Sequence, residues 1–441
     1  MKLVYNVNDR PPIGKTLVYA LQQVLAILAA TIAVPAITGH GMSQAAALFG
    51  AGVGTLVYQL FTRFKSPVFL GSSFAFLGSM ATAFASATAS VYLGFLGLLI
   101  GAIFAGLVYV ILALIVKFCG TGWINKLMPA VVIGPTVAII GLSLARNAIG
   151  DLTNANNGVS SYVSLVCGLV TLFTTVIASV YGKKMMKMIP FIIGICAGYI
   201  VATLFTVFGY HIGGNAAFKV VNFALFEKMQ WIPDFTFIKA FEGFKYFEAS
   251  YLGTIAVAYV PVAFVVFAEH IADHKNISSI IEQDLLADPG LDRTLLGDGI
   301  GSMAGAFFGG CPNTTYGESI GCVAISGNAS VSTIFTTAIM CIIASFVAPF
   351  VTLLATIPSS VMGGVCIALY GFIAVSGLKM IQKVDLEDNR NLFTVSTILI
   401  AGVGGMTLSF GKVTITSVAC ALILGILVNV IVNLGAKKEN K

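Results

Sequence analysis

Long apolar runs separated by short polar breaks fill the chain almost from end to end. Taken between those breaks, the runs fall at 16–34, 43–61, 68–79, 92–116, 127–145, 161–180, 188–210, 250–272, 294–309, 312–327, 330–352, 358–376, 392–408 and 414–434. A bilayer core takes about 20 apolar residues per helical span. The pattern therefore predicts an all-α polytopic membrane protein with 14 transmembrane segments, two of them short.

Lysine and arginine positions set the orientation. With a cytoplasmic N-terminus, Arg146, Lys219, Lys228, Lys239, Lys245 and Lys412 fall outside and the other 18 of the 24 fall inside. Four of those six sit in one long connection, 211–249, where the positive-inside rule has less force. Both termini are thus expected in the cytoplasm. The connection is rich in aromatic residues (Trp231, Phe235, Phe237, Phe241, Phe244, Tyr246), which suits an anchor along the outer interface.

Fourteen divides into seven plus seven, and the halves echo each other. Ser72-Ser73-Phe74-Ala75 resembles Thr314-Thr315-Tyr316-Gly317, and Pro129 with Gly134 is matched by Pro358 with Gly363 at the same spacing. Because seven is odd, such a repeat is inverted in the membrane, and paired, interrupted short spans point to a transporter's central site. Small and hydroxyl residues are also common in packed membrane helices, a reading the echo alone leaves open.

Composition agrees: 58% of residues are hydrophobic and 10% charged, with a mean hydropathy of +0.96, against about 25% charged in soluble domains. No separate soluble domain is expected, and the polar stretch Met1 to Lys15 does not read as a removed signal peptide. The eight cysteines contain no Cys-x-x-Cys pair and lie in apolar runs, as small buried hydrophobes do. They suggest neither a disulfide framework nor a metal site. The net charge of +6 follows from loop position, so no nucleic-acid partner is expected.

Chemistry concentrates where polarity interrupts these runs. Between Thr294 and Leu378 the only charged residues are Asp298 and Glu318, and Glu318 lies in Gly310-Cys311-Pro312-Asn313-Thr314-Thr315-Tyr316-Gly317-Glu318-Ser319-Ile320-Gly321. Hydroxyl and β-branched residues beside Pro and Gly favour extended chain around 72–74 and 314–316, after which Gly317-Glu318-Ser319-Ile320 can start a helix. Extended backbone at membrane depth is permitted only inside protein or along a cavity. Two such segments meeting antiparallel would share ladder hydrogen bonds and leave two half-helix N-termini facing each other, offering N–H groups to ligand carbonyls. A helix-start role for Glu318 supplies about 0.3–1 kcal/mol, less than the roughly 2.5–3.5 kcal/mol of placing an acid at mid-membrane. Glu318 is therefore assigned to a ligand.

The eighth run closes with Glu269-His270-Ile271-Ala272-Asp273-His274-Lys275. Helical spacing puts Glu269 and Asp273 on one face and His270 and His274 on another, rotated by about 100°. The span is expected to end near 270, with His274 and Lys275 at a solvated cytoplasmic end. Glu269, the deepest, is a candidate for ligand binding or proton coupling, Asp273 is a second proton-coupling candidate, and Asp298 is a third, bonded to a neighbouring broken helix more readily than to substrate. No metal is expected, since the His-x-x-x-His pair lies at the membrane edge and no cysteine joins it. Phe74, Tyr316 and Tyr370 could sandwich a flat ring, although each alone also reads as ordinary packing. No constellation of nucleophile and base suggests an enzyme.

These motifs resemble the nucleobase/ascorbate transporter family, and more narrowly its bacterial uracil-permease branch. The segments are Arg10-Pro11-Pro12, Leu70-Gly71-Ser72-Ser73-Phe74-Ala75-Phe76, Ala268-Glu269-His270-Ile271, Asp288-Pro289-Gly290-Leu291-Asp292-Arg293-Thr294-Leu295-Leu296-Gly297-Asp298-Gly299, Pro312 to Glu318, Gly363-Gly364-Val365 and Leu369-Tyr370-Gly371. The Gln-Asn-x-Gly type of motif of the xanthine branch is missing. The resemblance implies a seven-plus-seven inverted repeat. Spans one to four (1–118) and eight to eleven (250–352) would form a core domain, and spans five to seven (119–249) and twelve to fourteen (353–441) a gate domain. It implies that Glu269 and Glu318 hydrogen-bond the nucleobase, that backbone N–H groups near Ser73, Phe74 and Gly317 bind its carbonyls, and that Tyr316 and Tyr370 line the site. Uracil import by alternating access, proton symport with no other cofactor, a cytoplasmic-membrane location and a homodimer through the gate domain are likewise implied. One departure stands out: some members carry a histidine one helical turn after the first glutamate, where this chain has Asp273. Xanthine or another nucleobase, sodium in place of the proton, and an anion carrier of related architecture stay open as alternatives.

Overall fold

The structure, a computed structural model, describes residues 3–124, 129–153, 158–183, 185–410 and 413–439. Leu127 and Met128, at the head of the fifth expected run, and Lys2, Lys126, Lys184, Lys412 and Lys441 from the charge pattern lie outside the described residues. In chain order the main elements are α1 (Ile13–Thr38), α2 (Gln44–Phe61), β1 (Leu70–Ser72), α3 (Leu77–Ser86), α4 (Val91–Cys119), α5 (Ala130–Ser143), α6 (Ala145–Leu152), α7 (Ser161–Tyr181) and α8 (Pro190–Leu204). They continue with α9 (Thr236–Gly243), α10 (Ala249–Ile281), α11 (Leu291–Gly309), β2 (Asn313–Thr315), α12 (Gly317–Ser326), α13 (Val331–Ser345), α14 (Ala348–Ala355), α15 (Ser359–Ile381), α16 (Asn389–Val403), β3 (Leu408–Phe410), β4 (Val413–Ile415) and α17 (Ser417–Glu439).

Among the described residues nine helical stretches are long and apolar enough to cross a membrane, counting Ala130–Leu152 (α5 with α6) and Pro190–Ile212 (α8 with the helical turns that follow it) as one each, and α13 with α14, bent by 83° at their break, makes a tenth. Every expected run holds a helix or a short strand leading into one. However, α3 and α12 have 10 residues each and α16 has 15, too few to cross a bilayer core alone, so the clear spans number nine to ten.

The chain packs as two compact units. The first comprises Met1–Ser73, Arg146–Ile238 and Asp273–Leu369, and the second Phe74–Ala145, Lys239–Ala272 and Tyr370–Lys441.

In the first unit α2 lies against α11 at glycine contacts. A Cβ at Gly50 would stand 2.3 Å from the Gly305 carbonyl oxygen, and one at Gly301 would stand 2.6 Å from that of Gly54. Without a hydrophobic drive between helices in lipid, such close backbone approach supplies the packing. The crossing carries the strands: Asn313 donates its amide to the Gly50 carbonyl (3.1 Å) and its N–H to Ser302 Oγ (3.0 Å). β1 and β2 pair antiparallel with Leu70 opposite Thr315, Gly71 opposite Thr314 and Ser72 opposite Asn313. Ser73 N–H to the Pro312 carbonyl (2.9 Å) and Tyr316 N–H to the Phe69 carbonyl (3.2 Å) extend the ladder at either end. Thr55 Oγ1 serves the free edge of β1, accepting from Leu70 N–H (2.9 Å) and donating to its carbonyl (3.1 Å). Buried extended backbone is thus satisfied internally. The N-terminal segment runs beside 327–331, with Tyr5 bridging Asn328 and Ala329 N–H bonding the Tyr5 carbonyl (2.9 Å).

In the second unit the first part of α10 packs on α3 and α4. Tyr251 donates to the Ala83 carbonyl (2.7 Å) and Ser79 to that of Ala258 (2.6 Å), while Phe76 stacks on Tyr259 with centroids 5.6 Å apart. α5 packs against α16 and α17, where Gly402 leaves room for Ile139.

One expectation is overturned. α10 does not end near 270 but runs to Ile281, and His274 is fully buried, with Nε2 2.7 Å from Tyr58 Oη, which itself stands 2.7 Å from Ser66 Oγ. A buried partner 216 residues away in sequence keeps this part of the helix inside the protein. Lys275 is exposed, as expected.

Candidate functional site

The strand pair sets the first part of the site. Tyr316 occupies the N-cap position of α12 in extended conformation (φ −106°, ψ 118°) with no side-chain cap, and Glu318 stands in the first turn. The first N–H groups of such a helix have no acceptor within it. Gly317 is exposed, and a Cβ at Gly317 or Gly321 would meet nothing within 4 Å among the described residues, so this helix start borders open space. Glu318 beside it is half-buried. Gln23 of α1 holds the next residue, its amide Nε2 donating to both the hydroxyl and the carbonyl of Ser319.

Asp273, half-buried on α10, accepts a 2.6 Å hydrogen bond from Thr315 Oγ1 and lies within electrostatic range of Glu318 and Asp298. Asp298, on α11, is fully enclosed. Three carboxyls of the first unit therefore share one neighbourhood at the strand pair, and Tyr58 feels both Asp298 and Asp273. Tyr316 is placed to hold the ladder: its ring covers Gly71, where a Cβ would stand 2.3 Å from it, and its hydroxyl donates to the Ser72 carbonyl (2.8 Å). Ser73 N–H is engaged by the Pro312 carbonyl.

The second unit holds Phe74, Tyr370 and Glu269. Phe74 opens a 3-10 turn, Phe74–Phe76, and meets Tyr370 edge to face with centroids 5.4 Å apart. Glu269 is half-buried on α10, and the next residue, His270, is fully buried edge-on to Tyr109 at 6.0 Å. Among the described residues no three His, Cys, Asp or Glu side chains are grouped to hold a metal ion.

Residues 14–410 match the model described as the Permease family, that of the nucleobase/ascorbate transporters. The chain belongs to this family. The transporter is 38% identical over 435 residues to the uracil permease of Bacillus caldolyticus, covering 98% of this chain and 95% of that one. It is 37% identical to the uracil permease of Bacillus subtilis over 98% of this chain and 95% of the relative, and 33% identical to that of Escherichia coli K12 over 95% and 92%. Its fold resembles the transmembrane domain of the cyanobacterial bicarbonate transporter BicA (TM-score 0.64, 15% identity, 97% of this chain and 100% of that one). It also resembles the murine anion transporter Slc26a9 in its inward-facing state (TM-score 0.67, 11% identity, 97% and 69%). Family membership makes this chain a multi-pass membrane transporter and not an enzyme.

Three contributors escaped the sequence reading: Thr315 as donor to Asp273, Gln23 as holder of Ser319, and the Tyr58–His274 pair. Gln22-Gln23, a polar pair inside the first apolar run, was a visible signal for the second. The other two depend on which helices meet.

Proposed function

We propose that this transporter imports uracil together with protons by alternating access, with a core moving against a gate across the cytoplasmic membrane. The observation that carries the reading is the strand–helix junction at Thr315 to Glu318. It combines a carboxylate, uncapped helix N–H groups and open space, in a chain closely related over its whole length to uracil permeases. Uracil has two ring N–H donors and two carbonyl acceptors. Carboxylates of Glu318 and Glu269 would accept from the former, and N–H groups near Phe74 and Gly317 would donate to the latter. Phe74, Tyr316 and Tyr370 flank the ring or hold the backbone that does. Asp273, with Glu269 and Asp298 beside it in the role, exchanges the coupling proton. A fourteen-span, seven-plus-seven inverted repeat with cytoplasmic termini, no cofactor beyond the coupling ion, and a homodimer through the gate complete the proposal.

Labelled uracil uptake into proteoliposomes tests it. Uptake should rise with an inward proton gradient, persist in sodium-free buffer, and vanish in Glu318→Ala and Glu269→Ala. Normal uptake by either variant removes the assignment. The likeness to bicarbonate and anion transporters gives a second reading, anion carriage. A carboxylate-rich centre repels anions, so excess sulfate or bicarbonate should leave uracil uptake unchanged.

A further inference from the structure

The half-helix α12 carries Glu318 in its first turn, and a distant piece of chain grips its other end. Its ten residues, at about 1.5 Å each, make a rod of about 15 Å, so the direction of its open start depends on what holds its end. It closes on Gly327 in left-handed conformation (φ 67°), and the chain then passes through 328–330 into α13. Residues 3–9 pair with this exit. Val4 and Tyr5 donate their N–H groups to the Gly327 carbonyl (2.8 and 3.2 Å), while the carbonyls of Tyr5 and Val7 accept from the N–H groups of Ala329 (2.9 Å) and Val331 (3.1 Å). Ser330 Oγ donates to the Asp9 carbonyl (2.6 Å). Ala329, Ser330 and Val331 are all buried, so without residues 3–9 their polar groups would need new partners.

One side chain of this segment reaches the interior. Val7 is 3% exposed and belongs to an apolar cluster with Ile320 and Val323 of α12, Leu70 of β1, and Ile277 and Ile281 from the last turns of α10. Those elements carry Glu318, the strand pair and Asp273. Val4, three residues earlier, is 59% exposed and contributes its backbone alone to the pairing. The segment is tied in turn to α1: Lys15 Nζ stands 3.3 Å from Tyr5 Oη, and the Tyr5 ring meets Tyr19 edge to face at 6.1 Å. Since Gln23 of α1 holds Ser319, α12 is gripped near its start by α1 and at its end by the residues that precede α1.

We propose that residues 3–9 are a positioning strap for substrate binding, which sets the direction of α12 and with it the place of Glu318 and of the helix-start N–H groups. The inference rests on the reading that Glu318 binds the transported nucleobase. A side chain that touches no substrate acts here through the population of the binding geometry. If release of the strap leaves α12 in that geometry about a tenth of the time, the apparent dissociation constant rises about ten-fold. A strap that merely stabilised the fold would lower the number of working transporters and leave their affinity alone.

The test splits KM from Vmax in the full-length protein. Val7→Asn places an amide among apolar side chains, which disfavours the docked strap, whereas Val4→Asn makes the same change at an exposed position. Labelled uracil uptake into proteoliposomes should show KM raised about ten-fold in Val7→Asn, with Vmax per transporter kept, and raised less in Val7→Ala; Val4→Asn should match the parent. Hydrogen exchange without substrate, read by mass spectrometry, should show faster exchange of the 320–327 amides in Val7→Asn and unchanged exchange in α7. An unchanged KM in Val7→Asn, a fall in Vmax alone, or an equal shift in Val4→Asn overturns the proposal. If Val7→Asn does not fold, Val7→Ala decides, and a parental KM there overturns it. A parent that takes up no uracil refutes the transport reading instead, and unchanged exchange of the 320–327 amides then refutes the strap on its own.

Discussion

Replacing Gly71 by alanine tests whether the strand pair is held by one aromatic ring. The added Cβ would stand 2.3 Å from both Cε2 and Cζ of Tyr316 and 2.8 Å from its Oη. Ordinary carbon contacts lie at about 3.5–4.0 Å, so the ring must withdraw by roughly 1.2 Å. It is buried, and its hydroxyl is bonded to the Ser72 carbonyl at 2.8 Å, so withdrawal breaks that bond. Overpacking costs about 1–3 kcal/mol and the hydrogen bond about 0.5–1.5 kcal/mol, giving roughly 2–4 kcal/mol in all. Denaturant or thermal unfolding of the purified protein reads the loss, and uracil uptake should fall with it because Gly317 and Glu318 follow Tyr316 directly. Tyr316→Ala removes the obstacle. The double variant Gly71→Ala/Tyr316→Ala should therefore be more stable than the sum of the two single effects by at least about 1 kcal/mol. A Gly71→Ala protein within about 0.5 kcal/mol of the parent, or strict additivity in the cycle, would refute the ring's role.

Thr315→Val keeps shape but removes the 2.6 Å bond to Asp273. A hydrogen bond to a charged group is worth about 1.5–3 kcal/mol, so uptake efficiency should drop about ten- to a hundred-fold while the melting temperature stays within a few degrees. Tyr58→Phe leaves buried Ser66 and His274 without their shared hydroxyl and should destabilise the protein by about 1–3 kcal/mol, read by thermal unfolding. Gly50→Ala drives a methyl to 2.3 Å from a backbone oxygen that cannot swing aside, so the yield of monodisperse protein by size-exclusion chromatography should collapse. Gly317→Ala, facing open space, should melt like the parent.

The positions of helices and of the two short strands were legible because hydrophobic runs and the Pro-Asn-Thr-Thr-Tyr-Gly segment act locally. The extent of α10 was not, since His274 is polar and only its meeting with Tyr58 keeps it from water. The 83° break between α13 and α14 leaves no mark in hydropathy, because Phe346 and Val347 are apolar; its one signal in the sequence is Pro349, in the first turn of α14. In the candidate site, the polar interruption at Glu318 was visible from its isolation in apolar sequence. Tyr316 did not reveal its function, because a tyrosine before a glycine reads equally as a ligand wall or as a clamp until Gly71 is seen beneath it.

The register of β1 with β2 also imposes an order in time. Ser72 pairs with Asn313 and Leu70 with Thr315, so the first strand leaves the ribosome more than 240 residues before its partner. At about 5–20 residues per second, that interval is roughly 12–50 s. Throughout it, one edge of β1 carries backbone groups that lipid cannot satisfy. Thr55 and the neighbouring helices protect the other edge alone, so the amino-terminal half reaches the membrane as an unfinished structure whose closure awaits synthesis of the second strand.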